Sequence, residues 1–189
     1  MSFRLDKQKA VQAAAVLLKC APNWQMSRLR LLKLMYLADR ASLSDKGRPI
    51  TGDQIVAMDH GPVLSGVYDF IKNTHADPEP WPSHIQSQHH DVLLMSDPGV
   101  GDLSRYEVGK LQELWGEYED ISDWRLVEDV VDKLPEYLEY KPAPRSRRPI
   151  PFRAILTAVG RANDVDRILQ EAAEERMLDR LWARATQTA

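Results

Sequence analysis

The stretch LRLLKLMYLADRASL, residues 29–43, is apolar over most of the circumference of the helix that its spacing predicts. We expect that helix to run over residues 27–45 and to lie at the centre of a core. Four polar residues of the helix fall on one strip when successive residues are placed about 100° apart around the axis, and they are Arg30, Lys33, Arg40 and Ser44. The chain is therefore expected to fold around this helix.

Asp39 does not lie on this polar strip. It falls on the face that it shares with Leu32, Met35, Tyr36 and Leu43. A buried carboxylate without partners is costly in free energy. We therefore expect Asp39 to be buried and hydrogen-bonded, either to backbone N–H groups or to a basic side chain of residues 48–62.

Other helices are predicted from N-cap residues and apolar spacing. They are residues 6–20 after Asp6, a helix opened by the Ser104–Glu107 capping box, a helix after Ser122, residues 152–159 before Gly160, and a long last helix after Asn163. Pro135 is expected to end the helix that Ser122 begins. The chain is thus expected to be mostly helical.

Three short strands are expected at residues 54–58, 85–89 and 92–95, which are bounded by turn residues. The last two are close enough to pair as a hairpin, and with the first they would form one small antiparallel sheet. His60-Gly61-Pro62 is expected to turn the chain into a helix, because proline suits the first helical position. The apolar stripe of that helix would contain Val63, Val67, Phe70 and Ile71. The predicted fold class is α+β, mostly α.

Composition excludes several classes of protein. The chain of 189 residues has 25 basic and 28 acidic side chains, a net charge of -3, which argues against a surface devoted to nucleic acid. A single cysteine excludes a disulfide framework and a zinc site with several cysteines. No apolar run is long enough to span a membrane, and the start MSFRLDKQ is unlike a signal peptide. We expect a cytoplasmic protein.

Motifs of known enzymes are missing from the sequence: it has no phosphate-binding loop, no HExxH and no GxSxG. The Gly99-x-Gly101 pair is interpreted as an ordinary turn rather than half of a dinucleotide fingerprint. The segment with His84, His89, His90 and Asp91 is interpreted as a polar edge strand rather than a metal site. Cys20 is interpreted as a small buried hydrophobe. No catalytic residue, cofactor or metal is predicted.

Two segments are candidates for contact with a partner. Arg145, Arg147 and Arg148 lie in a proline-rich stretch, residues 141–151, which is expected to be an extended loop. Such a charge run is usually solvated, and the alternative is contact with an acidic partner or with nucleic acid. Leu178 and Trp182 lie one turn apart on the last helix and either dock on the core or bind a partner.

Several blocks of sequence, in order, go beyond these general patterns. They are LLKLMYLADR at 31–40, GRPITGD at 47–53, QIVAMDHGPV at 54–63, VYDF at 67–70, DKLPEY at 132–137 and RRPIPFRAIL at 147–156. Together they resemble the Panacea family, the SocA-like domain of bacterial and phage antitoxins, over about residues 8–160. The chain departs from the family pattern at Asp132, where a histidine is expected, and at Tyr137, where a tryptophan is expected.

The resemblance implies a mostly helical domain with a small antiparallel sheet. It also implies an antitoxin that neutralises a partner toxin by direct protein contact and, in the SocA-like branch, an adaptor that hands the toxin to an energy-dependent protease. It implies no enzymatic residues. The motif residues that it carries over, which we interpret as structural, are Tyr36, Asp39, Gly52, Asp53, His60, Gly61 and Pro62.

The resemblance also sets the expected domain boundaries. Residues 1–160 would form the antitoxin domain, and residues 161–189 a C-terminal helical extension. The apolar stripe of the last helix shifts phase midway, so one face cannot bury both halves on one surface. We expect the half with Ile168 and Leu169 to pack on the domain, and the half with Leu178 and Trp182 to meet a toxin or a second copy.

Two other functions compete with this hypothesis. A small hydrolase or transferase would use the His- and Asp-rich elements, and the missing catalytic motifs weaken it. A regulator would read DNA through the Arg145 loop, and it is weakened by the net charge of -3 and by the absence of a recognisable helix-turn-helix.

Overall fold

The computed structural model describes residues 3–187, with side chains up to residue 182. The α-helices are α1 (Lys7–Cys20), α2 (Arg28–Lys46), α3 (Ser65–Ile71), α4 (Trp81–His84), α5 (Arg105–Tyr118), α6 (Asp123–Arg125), α7 (Pro135–Tyr140), α8 (Phe152–Ala158) and α9 (Val165–Gln187). The strands are β1 (Gln25–Ser27), β2 (Ile55–Met58), β3 (Gly61–Leu64), β4 (Ile85–Gln88), β5 (Asp91–Leu94) and β6 (Arg148–Ile150). Short turns of other helix types lie at Pro22–Trp24, Leu126–Val130, Val131–Lys133 and Ala162–Asp164. The predicted α+β, mostly α class with a long last helix is confirmed.

The helix α2 lies at the centre of the core, as its apolar circumference predicts. The hydroxyl of Ser27 caps it by accepting a hydrogen bond from the Arg30 N–H at 3.0 Å. The helix contacts α1, α5 and the hairpin of β2 and β3. Within residues 3–187, no helix is both long and apolar enough to cross a membrane.

The first two residues of the polar strip of α2, Arg30 and Lys33, do not face solvent. Arg30 is 9% exposed and Lys33 is 1% exposed, because the segment after α5 folds over them. The Nε of Arg30 donates to Asp123 at 2.7 Å, and the Nε of Arg40 donates to Glu136 at 2.6 Å. The strip is therefore the surface on which residues 118–136 dock.

The expected single sheet is wrong, since the strands form two antiparallel sheets of three strands. The predicted hairpin of β4 and β5 is confirmed, but its third strand is β1, in which Met26 pairs with Val92. The second sheet has the order β3-β2-β6. β1 and β6 have only three residues each, too few for a periodic signal in the sequence.

The expected helix start at Pro62 is also wrong, because Gly61–Leu64 is the strand β3. It pairs with β2 as a tight hairpin in which Met58 faces Gly61 and Ala57 faces Pro62. Proline is tolerated there because β3 is an edge strand of its sheet. The helix α3 begins at Ser65, and it keeps the predicted inward residues Val67, Phe70 and Ile71.

The predicted caps are mostly confirmed. The carboxylate of Asp6 accepts from the Lys9 N–H at 3.0 Å, and Ser104 and Glu107 form a complete capping box. The exception is Asn163, which lies inside the turn Ala162–Asp164, so that α9 begins at Val165, one residue later than a cap at Asn163 implies. Pro135 ends the helical segment that follows Ser122, as predicted, and it also begins α7.

Candidate partner-binding site at the β2–β3 turn

The seven motif residues divide into a buried scaffold and one exposed side chain. His60, at the tip of the β2–β3 turn, is exposed, and the other six are buried. A buried residue can shape a surface but cannot contact a partner directly. The turn that carries His60 is therefore the part of the motif that a partner can reach.

Asp39 fixes the loop between α2 and β2. Its Oδ1 accepts hydrogen bonds from the N–H groups of Ile50 and Thr51, both at 2.9 Å, and its Oδ2 accepts from the Thr51 hydroxyl at 2.6 Å. Complete burial raises the pKa of Asp39 to about 7, and the hydrogen bonds from Thr51 partly oppose that rise. The expected buried and hydrogen-bonded Asp39 is confirmed, with backbone N–H groups as partners.

Asp53 connects that loop to α3. Its two carboxylate oxygens accept from the N–H groups of Gly66 and Val67, each at 3.0 Å, in the first turn of the helix. Burial raises the pKa of Asp53, and these backbone hydrogen bonds oppose the rise. Asp39 and Asp53 are thus occupied by main-chain donors, which supports their interpretation as structural residues.

Tyr36 and Glu136 join α2 to α7. The Tyr36 hydroxyl donates to Oε1 of Glu136 at 2.6 Å, and Arg40 donates to the same oxygen, also at 2.6 Å. Burial raises the pKa of Tyr36, so its hydroxyl stays protonated and remains a donor. Tyr137 follows Glu136 in α7, and its hydroxyl donates to the Met58 carbonyl at 2.9 Å. This departure from the family pattern therefore holds the base of the turn.

A lysine and a carboxylate lie beneath the turn. Lys33 is 1% exposed, and its Nζ donates to the Pro62 carbonyl at 3.1 Å. Burial lowers the pKa of Lys33 to about 7, while the nearby Asp132 raises it. Oδ1 of Asp132 is buried and has no hydrogen-bond partner among the described residues. Asp132 is the second departure from the family pattern. At the position where a histidine is expected, this chain therefore has a carboxylate that faces Lys33.

Gly61 allows these groups to approach the backbone of the turn. Its φ of 91° is in the region that favours glycine. A Cβ at this position would lie 2.5 Å from Cγ1 of Val131 and 3.3 Å from Nζ of Lys33. Gly61 thus explains why the turn can sit directly on the buried lysine.

An aromatic pair forms the exposed side of the turn. The rings of His60 and Trp124 are edge to face with centroids 5.2 Å apart, and Trp124 is 55% exposed. Sequence reasoning missed Trp124. The available signal was a large apolar residue in the polar stretch SDWR, immediately after the Ser122 cap.

The segment 141–148, which we call the basic strap, is fastened to the same turn. Both carboxylate oxygens of Asp59 accept from the Arg145 N–H, at 2.9 and 3.0 Å. The strap contains the predicted partner-binding residues Arg145, Arg147 and Arg148, whose side chains are exposed. Its end forms β6, so the predicted extended loop is in part a strand. The structure therefore brings Arg145 beside the turn that carries His60.

The other predicted partner-binding residues lie elsewhere, on α9. Val165, Ile168 and Ala172 in its first half are buried, whereas Leu178 is 56% and Trp182 is 72% exposed in its second half. The expected division of the last helix into a packed half and an exposed half is confirmed. Its role in binding stays a prediction.

The remaining candidates have ordinary surroundings. His84 contacts Ser96, and His90 contacts Arg28. In the part of the chain that the structure describes, no three or more His, Cys, Asp or Glu side chains are placed to share a metal ion. Cys20 is only partly buried, at the end of α1, and not fully buried as expected; this burial raises the pKa of its thiol and keeps it protonated. The Gly99 N–H donates to Asp97, as in a simple turn.

One comparison with known proteins identifies the family of this chain. Residues 31–133, more than half of the chain, match the family described as antitoxin SocA-like, Panacea domain, and the chain therefore belongs to this family. Neither the curated proteins nor the solved structures gave a significant match. The matched residues include all seven motif residues, the Lys33–Asp132 pair and Trp124, and they end before the basic strap.

Proposed function

We propose that this protein is the antitoxin of a toxin–antitoxin pair and neutralises its toxin by direct protein–protein binding. The observation that carries the proposal is the family match over residues 31–133. It is supported by the motif carboxylates Asp39 and Asp53, which bind the protein's own backbone rather than lining a reaction site. In this proposal the protein has no enzymatic activity and acts in the cytoplasm.

We place the contact with the toxin at the β2–β3 turn and the surfaces next to it. The exposed His60–Trp124 pair supplies an aromatic anchor, and tryptophan is enriched among the residues that dominate binding energy. The buried Lys33, Tyr137 and Gly61 hold the turn in one conformation before binding. A preformed surface loses less conformational entropy on association.

Co-expression of this protein with the product of the adjacent gene is expected to give a co-purifying complex. In cells without energy-dependent proteases, protection should require at least as many antitoxin as toxin molecules, because each antitoxin molecule occupies one toxin. The measurement is growth at graded antitoxin levels, with both proteins quantified. Protection at strongly substoichiometric levels in cells without energy-dependent proteases would indicate a catalytic mechanism and contradict this proposal.

The same cells also test the adaptor function that the family resemblance implies. An adaptor shortens the half-life of the toxin when the protease is present, whereas a blocking antitoxin leaves the half-life unchanged or lengthens it. Comparing the half-life with and without the protease therefore decides how neutralisation occurs. Both outcomes require the direct complex.

We further propose that residues 161–189 are an extension of an antitoxin domain formed by residues 1–160, and that the outer half of α9 contacts the toxin or a second copy. Trp182→Ala is expected to weaken association roughly thirtyfold, about 2 kcal/mol, and to leave the melting temperature unchanged. The reason is the 72% exposure of Trp182. Calorimetric titration with the toxin and sedimentation of the protein alone identify which partner is lost.

The matched control lies on the inner half of the same helix. Ile168 is buried in the core, so Ile168→Ala should lower the melting temperature and leave the affinity of the folded protein unchanged. If Trp182→Ala behaves like Ile168→Ala, the outer half of α9 packs on the domain and the proposed contact is wrong.

A further inference from the structure

An apolar groove of about 940 Å³ lies between β6, α7, α8 and the first half of α9. Its walls include Tyr140 of α7, Pro149 of β6, Phe152 and Thr157 of α8, and Leu169 of α9. β6 is an edge strand, and Pro149 at its centre has no N–H to offer. A ligand in this groove is therefore recognised through its side chains rather than by adding a strand to the sheet.

The basic strap borders this groove. The guanidinium of Arg148 lies over the ring of Tyr140, 4.8 Å from its centroid, and that ring lines the groove. Among the described residues, no carboxylate lies within ion-pair distance of the four cations of the strap, which are Lys141, Arg145, Arg147 and Arg148. A cluster of exposed cations without ion-paired carboxylates is an electrostatic surface for an external anion.

Nearby acidic residues reduce this charge without cancelling it. Glu136 also lines the groove, but it is neutralised by Arg40 at 2.6 Å. Glu139 is exposed at the rim, and Asp59 accepts from the Arg145 backbone. The strap with these two carboxylates therefore remains net positive. On the opposite side, Arg153 is paired with Asp166 at 2.5 Å.

We propose that the groove and the basic strap together bind one short amphipathic segment of the toxin. Apolar side chains of the segment fill the groove, and its Asp or Glu side chains pair with Arg145 and Arg147. The identity of the partner rests on the proposed antitoxin function. Charge complementarity selects an acidic segment, and the apolar walls favour a protein over nucleic acid, because phosphates and sugars gain nothing from an apolar groove.

Binding of the purified product of the adjacent gene at 50 and 300 mM NaCl tests the two halves of the site separately. The double variant Arg145→Gln, Arg147→Gln is expected to bind at least tenfold more weakly at 50 mM and to lose most of the salt dependence. Its matched control, Lys72→Gln, Arg105→Gln, removes two exposed cations that also lack ion pairs among the described residues. That control should bind like the wild type.

The groove is tested by the variant Thr157→Trp, whose large side chain fills it. The control is Thr157→Val, because valine and threonine side chains have nearly the same size. Thr157 is exposed, so both variants should melt like the wild type. Thr157→Trp should bind at least tenfold more weakly and keep the salt dependence, and Thr157→Val should bind normally.

The outcomes separate the two proposals. If the wild-type protein does not bind the adjacent gene product, the antitoxin function fails and this site fails with it. If the wild type binds and both the strap and groove variants bind equally well, only this site is wrong. Binding of a 20-base-pair duplex at 150 mM NaCl that the strap variant abolishes, with toxin binding unchanged, would assign the strap to nucleic acid and also overturn the proposal.

Discussion

Replacing Asp39 by alanine is expected to lower the free energy of unfolding by about 2–4 kcal/mol, because it leaves buried hydrogen-bond donors without an acceptor. Those donors are the N–H groups of Ile50 and Thr51 and the Thr51 hydroxyl. No solvent can replace the carboxylate, since Asp39 is 0% exposed. Urea denaturation at pH 7 measures the change.

Asp39→Asn is the matched control. Its amide oxygen can accept from both N–H groups, and its NH₂ can donate to the Thr51 hydroxyl, so it should cost less than Asp39→Ala. The variant also removes a titrating group. The folded pKa of about 7 is above the ordinary value of 3.8, so the folded protein holds a proton that the unfolded chain releases.

The raised pKa of Asp39 makes the stability of the folded protein depend on pH. The stabilisation from protonated Asp39 is fully present below pH 3.8 and is lost as the pH rises through about 7. The wild type should therefore lose stability relative to Asp39→Asn between pH 5 and pH 8. Two outcomes would contradict this account of the site. One is equal stability of Asp39→Ala and the wild type, and the other is a wild type that gains stability relative to Asp39→Asn as the pH rises.

Asp39 also shows which structural features can be predicted from the sequence. Its burial could be predicted because a helix places residues on faces at a fixed angle, and a carboxylate on the Leu32 and Leu43 face needs partners. The partners themselves are only 11 and 12 residues away along the chain. Short-range geometry of this kind is predictable from one sequence.

The turn at His60-Gly61-Pro62 shows where that reasoning ends. Proline suits both the first turn of a helix and an edge strand. What decides between them is the pairing of β3 with β2 and of β2 with the distant β6. Similarly, the polar strip of α2 could be predicted, but its burial depends on Asp123 and Glu136, about a hundred residues away. Long-range contacts of this kind leave no local signal.

Replacing Gly52 by alanine is expected to have an effect as large as that of Asp39→Ala, roughly 3–5 kcal/mol, because two costs add. The φ of Gly52 is 68°, a conformation that is strained for any residue with a Cβ. In addition, the new Cβ would lie 2.2 Å from the Arg4 carbonyl oxygen. Relief requires the N-terminal segment to move, which weakens the hydrogen bond from the Asp6 N–H to the Thr51 carbonyl, 2.8 Å in length.

Gly99→Ala separates the two costs. Gly99 has a similar φ of 75°, but nothing lies within 4 Å of the position that its Cβ would take. It should therefore lose only the conformational cost, about 1 kcal/mol. The difference between the two variants in thermal or urea denaturation measures how firmly the segment around Arg4 is held against the Asp39 loop. If both variants lose the same stability, that segment yields freely, and the loop is supported from α2 and α3 alone through Asp39 and Asp53.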